Sequence, residues 1–512
     1  MPAKGGITIL DFGAQYSQLI ARRIRHHNIY AEVVPYWKSI EYIQRSAPKG
    51  IVLSGGPASA CIEKAPLPDP AIFDANIPIL GICYGMQVTT QLLGGKVAQA
   101  QKKEFGKAHL HLDRADLLYK NIPDGSQVWM SHADHITKMP KGFQQLAHTD
   151  SSIASMADLK RRIYTVQFHP EVTHSVYGQA ILKNFAVEIC GCKPNWGMGD
   201  FIEQSVSAIR EKVGDKKVIL GLSGGVDSSV TAVLIHRAIG SRLTCLFVDT
   251  GLLRKGEAQK VMQTYGAHFE MDIRLVAAQE QFLKELAGVA SPEQKRKIIG
   301  QTFIAVFDRE SKKIKNVDFL AQGTIYPDVI ESQSIRGPSD TIKSHHNVGG
   351  LPESMNLRLI EPLRELFKDE VREVGKKLSI PMEMIDRHPF PGPGLGIRIL
   401  GEVSAKKIAI LQEADAIFIE EMRKAKLYQQ VSQAFVVLLP VKSVGVMGDV
   451  RTYEYTAVIR SVDTTDFMTA TWSHLPHDLL ERVGNRIINE VSGVNRVAYD
   501  ISSKPPATIE WE

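Results

Sequence analysis

Residues 78–87, PILGICYGMQ, combine a strand pattern, a sharp turn and a helix pattern within ten residues. The apolar run, Pro78–Ile82, is typical of a buried strand, and the residues from Gly85 onward have helical spacing. Cys83 stands at the turn between them, with Gly81 two residues before it and Gly85 two residues after it. Glycines at these positions relieve crowding at a sharp strand-to-helix turn that exposes the residue between them. The stretch therefore predicts an α/β sheet with a reactive thiol at a helix N-terminus, where the helix dipole favours the thiolate.

Short apolar runs alternate with helical spacing on both sides of this turn. Ile7–Asp11 and Gly50–Ser54 are predicted strands, and Ala14–Ile24 is a predicted helix. Near Lys193–Gly199 the pattern stops at Pro and Gly, which predicts a linker. A second series then begins with a helix at Phe201–Val213. This alternation is typical of parallel α/β sheets.

The second series continues with predicted strands at Val218–Leu222 and Leu243–Asp249. A second break, rich in Pro and Gly, lies at Pro389–Gly396, and long β-branched runs follow it. We predict an α/β fold class, with two successive parallel-sheet α/β domains followed by a smaller α+β C-terminal domain. The predicted domains cover residues 1–197, 198–390 and 391–512.

Composition agrees with a chain of about three domains, since domains average roughly 150 residues. The chain has 512 residues, of which 44% are hydrophobic and 23% are charged, and its mean hydropathy is -0.10. These values are typical of soluble globular proteins. No apolar run approaches the ~18 residues that suggest a membrane span. The N-terminus lacks a signal-peptide pattern, so we expect a cytoplasmic protein without a membrane partner.

Charge and cysteine content exclude two further classes. Lys and Arg number 61 against 56 Asp and Glu, giving a formal net charge of +5. A nucleic-acid binder usually concentrates basic residues on one face; no such block is present, and we expect no nucleic-acid partner. Five cysteines in a chain of this length suit a reducing compartment better than a disulfide framework.

A candidate base and its orienting carboxylate follow another predicted strand, Ile163–Phe168. In extended chain, residues i and i+2 point the same way, so His169 can face the Cys83 thiol while Glu171 orients the imidazole. This is the logic of a nucleophile–base–orienter triad. Taken singly, the thiol and the histidine could be core residues and the glutamate a surface acid. The three together favour catalysis of acyl transfer.

Backbone N–H groups near the predicted nucleophile could form an oxyanion hole. Gly55 and Gly56 follow the second strand, and Tyr84 follows the cysteine. The motif of residues 81–87 with His169-Pro170-Glu171 resembles class I (triad) glutamine amidotransferases over roughly residues 7–190. The resemblance implies that the cysteine attacks the glutamine side-chain amide and releases ammonia. It also implies a set of residues that help to hold glutamine, namely Gln87, Ser131 and His132.

A Gly-rich loop, Ser223–Ser229, lies between a predicted strand and a predicted helix. Its two glycines let successive N–H groups form an anion nest, and the helix N-terminus adds positive charge. Asp227 would be costly beside phosphate without a cation, so Mg²⁺ is implied. No G-K-[ST] follows, which excludes a P-loop NTPase. The alternative is an ordinary strand-to-helix turn in which Ser or Asp caps the helix N-terminus.

This loop resembles that of the N-type ATP pyrophosphatases. The resemblance implies that ATP is cleaved between its α- and β-phosphates to form an adenylylated intermediate. Asp249 ends the next strand, at the edge where open α/β sheets bind ligands; an Asp-capped loop is the alternative there. The predicted ATP-binding residues are Ser223, Gly224, Gly225, Val226, Asp227, Ser228, Ser229, Val248 and Asp249.

An ammonia-releasing domain joined to an adenylylating domain implies an amination, because AMP transfer turns a poor leaving oxygen into a good one. Which acceptor is aminated is not decided by either motif. Lys295–Gly300, Thr341–Gly350, His388–Gly394 and Ser503–Glu512 resemble the glutamine-hydrolysing GMP synthetase family. The resemblance covers essentially the whole chain and implies xanthosine 5′-monophosphate (XMP) as acceptor. It also implies a homodimer formed through the C-terminal domain.

The residue types of the C-terminal tail, apart from the resemblance, are also compatible with a binding site. Two consecutive prolines stiffen the tail, which lowers the cost of ordering Lys504 and Glu510 in a site. A lysine suits a nucleotide phosphate, and a carboxylate suits purine N–H donors; a frayed terminus is the alternative. With the resemblance, the expected XMP contacts are Arg296, Gln433, Lys504 and Glu510.

The polar stretch 322–352 is predicted to be a long loop, either a lid that closes on ATP or a surface loop. Its candidate lid residues are Lys343, His345 and His346.

An amidotransferase acting on another acceptor, such as a carboxylate, remains an alternative for the whole chain. A nucleic-acid modifier and a silent nucleotide sensor are two further alternatives.

Overall fold

The computed structural model describes residues 5–14, 16–62, 65–333, 357–447, 449–464, 467 and 469–512. The chain forms two compact units, Met1–Phe201 with Tyr326–His345 and Ile202–Ile325 with His346–Glu512. No helix among the described residues is long and apolar enough to cross a membrane.

Nine strands of the first unit form one sheet in the order β2-β1-β3-β4-β9-β8-β7-β5-β6. The strands are β1 (Ile7–Asp11), β2 (Ala31–Pro35), β3 (Gly50–Leu53), β4 (Ile79–Ile82), β5 (Lys96–Leu112), β6 (Ser126–Lys138), β7 (Gln144–His148), β8 (Ile153–Asp158) and β9 (Ile163–Val166). The helices packed with them are α1 (Ser17–Arg25), α2 (Ile40–Gln44), α3 (Tyr84–Leu92) and α4 (Gly178–Asn184).

The sheet has a parallel half and an antiparallel half. Neighbouring strands from β2 through β9 pair in parallel, and β3 and β4 are buried along their whole length, as strands covered on both faces are. From β9 to β6 every pairing is antiparallel. The sequence analysis predicted only the parallel half. In β6, buried and less buried residues alternate through most of the strand, which is typical of a half-exposed antiparallel strand.

The second unit contains a five-stranded parallel sheet in the order β12-β11-β10-β13-β14. Its strands are β10 (Lys217–Gly221), β11 (Leu243–Asp249), β12 (Asp272–Ala277), β13 (Val317–Ala321) and β14 (Arg358–Ile360). The helices of this region are α5 (Met198–Val213), α6 (Val226–Ile239), α7 (Glu257–Met262), α8 (Gln279–Glu285), α9 (Pro292–Ser311), α10 (Tyr326–Gln333), α11 (Lys368–Lys377) and α12 (Met382–Ile385), of which α10 belongs to the first unit.

The C-terminal part contains a four-stranded sheet with two long helices. The elements are α13 (Ala405–Lys424), β15 (Gln433–Met447), β16 (Val450–Asp463), β17 (Thr471–Trp472), α14 (His477–Glu490) and β18 (Val494–Asp500). Strand β16 pairs antiparallel with β15 and β17 and in parallel with β18. The predicted α/β class with a smaller α+β C-terminal part is confirmed.

One hydrophobic core continues from the parallel sheet into the C-terminal part. It joins Phe282 and Ile299 to Phe418, Leu438 and Ile487, all of them buried. The predicted boundary at residue 390 therefore falls inside a unit with a shared core. The domain limits of the sequence analysis stay predictions.

Two local expectations need correction. Helix α5 begins at Met198, inside the predicted linker Lys193–Gly199. Part of the predicted loop 322–352 is helix α10 (Tyr326–Gln333), in which proline occupies the second position; proline is tolerated in a first helical turn because that N–H needs no helical partner.

Candidate active sites

Cys83 lies at the sharp turn between β4 and α3. Its φ is 50°, a region that non-glycine residues rarely occupy, and its side chain is buried. A Cβ at Gly81 would lie 2.7 Å from the Gly85 carbonyl oxygen, and one at Gly85 would lie 2.4 Å from the Leu53 carbonyl oxygen. Both positions therefore require glycine, and the thiol is held at the start of the helix.

His169 and Glu171 form a buried pair beside this thiol. The imidazole Nδ1 lies 2.7 Å from Oε1 of Glu171. Burial disfavours the charged imidazolium, but the Glu171 carboxylate and the Cys83 side chain outweigh it and raise the pKa of His169 to about 11. The pair is made in a turn after β9, which ends at Val166, and not in extended strand as the sequence analysis assumed. The Ser175 hydroxyl holds this turn by donating to the His169 carbonyl at 2.6 Å.

Gly55 and Gly56, which follow β3, lie against the proposed base His169 and against the strand-to-helix turn at Cys83, here called the elbow. A Cβ at Gly55 would lie 3.1 Å from Cε1 of His169, and one at Gly56 would lie 3.2 Å from Cδ1 of Tyr84. The N–H of Gly85 donates to the Ser54 carbonyl at 3.1 Å, which fixes this turn against the start of α3. The structure thus places Gly55 against His169 and Gly56 against Tyr84, the residue that follows Cys83.

The predicted glutamine-binding residues come from α3 and β6. The Cys83 thiol lies 3.8 Å from the Ser131 carbonyl oxygen, and the Gln87 amide donates to the Asp134 carbonyl at 3.5 Å. His132 is buried in the same strand and contacts Glu104. Helix α3 and strand β6 therefore meet at the thiol.

The Gly-rich loop Ser223–Ser229 connects β10 to α6 and is closed by its own serines. The Ser223 and Ser228 hydroxyls are 2.9 Å apart, and the Ser228 and Ser229 hydroxyls donate to the Gly225 carbonyl at 3.0 Å and 2.6 Å. Gly224 has a φ of 72°, which glycine adopts without strain. These bonds keep the loop compact at the N-terminus of a 14-residue helix.

Asp227 has one paired and one unpaired oxygen. Its Oδ2 accepts from Nζ of Lys368 at 2.6 Å, while its buried Oδ1 has no hydrogen-bond partner among the described residues. An unpartnered buried carboxylate oxygen is an available cation ligand. Arg387 approaches the same loop, donating to the Gly224 carbonyl at 3.0 Å and pairing with Glu257 at 2.5 Å.

Both carboxylate oxygens of Asp249, at the end of β11, accept hydrogen bonds from nearby residues. Its carboxylate accepts from the Gly251 N–H at 2.9 Å and from the Gln279 amide at 2.7 Å. Val248 beside it is buried in the core. The two residues are placed as the loop-capping alternative describes, at the sheet edge where the Gly-rich loop also lies.

The C-terminal tail is fixed by buried cations. Arg398, whose side chain is fully buried, donates through Nε and Nη2 to both carboxylate oxygens of Glu510, at 3.1 Å and 2.8 Å. Gln433 donates to the same carboxylate at 2.8 Å. Lys295, also fully buried, pairs with Glu512. The frayed-terminus alternative is therefore wrong, because charge-assisted hydrogen bonds hold this tail in place.

The four predicted XMP residues are placed differently from one another. Gln433 and Glu510 contact each other directly. Arg296 donates to the Glu512 backbone carbonyl, so it too lies at the tail. Lys504 instead donates to the Phe467 carbonyl at 2.6 Å. The candidate lid residues Lys343, His345 and His346 lie outside the described residues.

Sequence reasoning missed the cations that hold these sites, namely Lys295, Lys368, Arg387 and Arg398. Lys368 is 141 residues from Asp227 in the chain, and Arg398 is 112 from Glu510. No spacing rule joins such pairs. The one available signal is that basic residues within otherwise apolar, Gly- and Pro-rich segments, such as Arg398, must find a buried partner.

Three protein-family models match successive segments of the chain. The model of the family "Glutamine amidotransferase class-I" matches residues 8–189, that of "NAD synthase" matches residues 198–274, and that of "GMP synthase C terminal domain" matches residues 420–511. Curated proteins named "GMP synthase [glutamine-hydrolyzing]" match over nearly their whole length. The protein from Fusobacterium nucleatum is 66% identical, covering 99% of this chain and 100% of its own. Those from Spiroplasma kunkelii and Aquifex aeolicus are 58% and 57% identical, covering 100% and 99% of each chain.

The relatives share all three parts of the chain, including the tail that follows the second unit's sheet. The match to the NAD synthase model is confined to the segment that contains the Gly-rich loop, whereas the GMP synthase C-terminal model covers the tail. With full-length identities well above half, the chain belongs to the family of glutamine-hydrolysing GMP synthases.

Proposed function

We propose that this chain converts XMP to GMP, with glutamine as the nitrogen donor and with cleavage of ATP to AMP and pyrophosphate. The observation that carries the proposal is the presence in one chain of two separate sites, the Cys83 elbow and the Ser223–Ser229 loop. Neither site alone accounts for an amination, and together they supply the nitrogen and the leaving group.

The first half-reaction releases ammonia. The sulfur of Cys83 attacks the carboxamide carbon of glutamine, the C–N bond breaks, and the thiol proton passes through His169 to the leaving nitrogen. Water, activated by His169, then hydrolyses the γ-glutamyl thioester to glutamate and restores the thiol. The 2.7 Å bond from Glu171 holds the imidazole in position for both steps. N–H groups of Gly55, Gly56 and Tyr84 are the proposed donors to the tetrahedral oxyanion.

The second half-reaction activates XMP. The lactam oxygen of XMP attacks the α-phosphorus of ATP, the α–β bond breaks, and pyrophosphate leaves. Ammonia adds to the activated carbon, and AMP departs with the oxygen. The backbone N–H groups of the Ser223–Ser229 loop and the N-terminus of α6 are proposed to hold the departing pyrophosphate.

The residues at the loop fit a magnesium ion. The unpaired, buried Oδ1 of Asp227 is an oxygen ligand of the kind that Mg²⁺ prefers. No cluster of three or more His, Cys, Asp or Glu side chains that could hold a metal occurs in the described ranges. That agrees with Mg²⁺, which is usually held by one or two carboxylates together with substrate phosphates. A bound Mg²⁺ would neutralise charge on the phosphates. Lys368 holds the Asp227 carboxylate through its other oxygen, Oδ2.

We place the acceptor at the tail, with Arg296, Gln433, Lys504 and Glu510 as its contacts. The two bonds from Arg398 and one from Gln433 fix the carboxylate of Glu510, which leaves one lone pair to accept a purine N–H group. The five cysteines are free, which supports a reducing, cytoplasmic location.

A homodimer through the C-terminal part is supported by an exposed apolar surface. Strands β15 and β16 carry exposed valines and a tyrosine near their connecting turn: Val441, Val444, Val446, Val450 and Tyr453, which are 47–71% exposed. Apolar side chains clustered on one hairpin are typical of a protein–protein interface. Sedimentation of Val446→Lys against the unaltered protein tests this proposal, since a charge there would weaken a dimer.

Product analysis tests the proposed reaction. The protein is incubated with XMP, ATP, Mg²⁺ and glutamine, and the products are identified by mass spectrometry. We expect GMP, AMP, pyrophosphate and glutamate in equal amounts. Formation of AMP with a carboxylate acceptor in place of XMP would instead favour another amidotransferase.

A further inference from the structure

Three elements of the first unit meet at the carboxylate of Glu104. In the register of β5 and β6, Glu104 lies directly opposite His132, and its Oε2 lies 3.2 Å from the imidazole Nε2. From the turn between β7 and β8, the Thr149 hydroxyl donates to Oε1 at 2.9 Å and the Ser152 hydroxyl to Oε2 at 2.8 Å. The carboxylate therefore binds one strand neighbour and one turn.

The two ring nitrogens of His132 both face acceptors. Nδ1 lies 2.9 Å from the Asp134 carbonyl oxygen, and Nε2 faces the Glu104 carboxylate. A neutral imidazole has one donor, so it can satisfy only one of these partners, whereas an imidazolium satisfies both. Burial raises the pKa of Glu104, but the bonds from His132, Ser152 and Thr149 outweigh it and leave that pKa lowered. The geometry describes a buried histidine–carboxylate pair, with the His132 side chain 3% exposed and that of Glu104 15% exposed.

This pair is linked to the nucleophile through the backbone of β6. The carbonyl of Ser131, next to His132 in the chain, lies 3.8 Å from the Cys83 sulfur. The carbonyl of Asp134 accepts both from the imidazole and from Gln87 on α3. Any shift of the imidazole would therefore move the backbone that contacts the Cys83 thiol and the Gln87 amide.

We propose that Glu104 is a positioning residue of the glutaminase site, which holds the His132 imidazole in place and so fixes residues 131–134 of β6 against Cys83. The proposal rests on the proposed function, in which Ser131 and His132 border the bound glutamine. Glu104 acts through His132 and is not itself placed against the substrate.

Glu104→Gln keeps the size of the side chain and removes its charge. Losing the charge-assisted bond that holds His132 should raise KM for glutamine by about 10-fold or more, with a smaller change in kcat. GMP formation from ammonium should be unchanged, because that reaction bypasses the glutaminase site. In the ¹⁵N spectrum of the full-length protein, with His132 assigned by its loss in His132→Gln, Glu104→Gln should shift the resonance of Nε2, the ring nitrogen that faces residue 104.

Two further variants complete the test. Glu104→Asp retains the charge and should recover part of the glutamine affinity. Glu188→Gln makes the same chemical change in an exposed pair with Lys120 and should leave both activities unaltered. An unchanged KM for glutamine together with an unchanged His132 spectrum in Glu104→Gln would overturn the proposal, as would equal losses with glutamine and ammonium. Failure of the proposed function would appear differently, as retained glutamine use in Cys83→Ala.

Discussion

The Nδ1 atom of His169 lies 2.7 Å from Oε1 of Glu171, and both side chains are buried. The second carboxylate oxygen, Oε2, has no hydrogen-bond partner among the described residues. Among the described residues, this carboxylate therefore hydrogen-bonds to the His169 imidazole alone, and it holds that ring beside Cys83.

Glu171→Gln should separate orientation from charge. The amide fills the same space but cannot stabilise an imidazolium, so the pKa of His169 should fall from its raised value. We expect glutamine-dependent kcat to drop by roughly 10²- to 10⁴-fold, less than on loss of the nucleophile. Steady-state glutaminase assays measure the effect, with ammonium-dependent synthesis as the internal control. Unaltered glutamine turnover would remove Glu171 from the mechanism.

Asp227→Ala should abolish AMP formation whether glutamine or ammonium supplies the nitrogen. The change removes the unpaired oxygen proposed for Mg²⁺ and leaves Lys368 without its partner. Gly224→Val should act alike, because a Cβ there would lie 3.2 Å from Cγ2 of Val261 and its φ of 72° is strained for valine. Pyrophosphate release is the measurement. Normal release by either variant would take the loop out of the reaction.

Glu510→Gln should weaken XMP binding and destabilise the second unit. It leaves Arg398, which is fully buried, without a counter-charge, a situation that costs about 3–5 kcal/mol when a buried pair is broken. We expect a lower melting temperature and a KM for XMP at least tenfold higher, with glutaminase chemistry retained. Glu203→Gln is the matched control, since Glu203 pairs with Arg237 at the surface. A wild-type KM in Glu510→Gln would contradict the placement of XMP at the tail.

His388 makes stability depend on pH. Burial lowers its pKa from 6.5 to about 4, and its Nδ1 accepts from the Ala434 N–H at 3.1 Å. The unfolded chain binds this proton near pH 6.5 and the folded chain only near pH 4. Stability from this group is thus complete above pH 6.5 and declines as the pH falls, by about 3 kcal/mol in all. Melting temperatures of His388→Gln should fall less steeply over this range than those of the unaltered protein, and parallel curves would refute the assignment.

Most of what the sequence predicted about the sites rests on patterns that are local in the chain, and the pairing of Cys83 with His169 combines two such patterns. The elbow could be anticipated because Gly81 and Gly85 flank Cys83 at fixed spacing, and the structure shows which atoms a Cβ would strike there. The proximity of His169 and Glu171 was anticipated for a partly wrong reason, since the strand ends at Val166 and a turn joins them. The predicted bounds of the strands agree with the observed bounds to within two residues, because the apolar runs that predict them are also local in the chain.

The unpredicted parts depend on distant pairs. Glu104 and His132 are 28 residues apart, and Lys295 and Glu512 are 217 apart. Such pairs form because burial makes an unpartnered charge costly, and only the folded topology decides which partner is near. The antiparallel half of the first sheet escaped notice because β5 to β8 lack the strand–helix alternation on which the α/β prediction was based.

Glutamine chemistry and nucleotide chemistry are proposed to occupy separate sites, and activity assays of Cys83→Ala test whether they do. A methyl group cannot form the thioester, whereas the Ser223–Ser229 loop and the tail are unaltered. AMP production is measured with glutamine and then with ammonium, at a pH that supplies free ammonia. We predict background activity with glutamine and full activity with ammonium; equal loss with both nitrogen sources, or undiminished use of glutamine, would contradict the account.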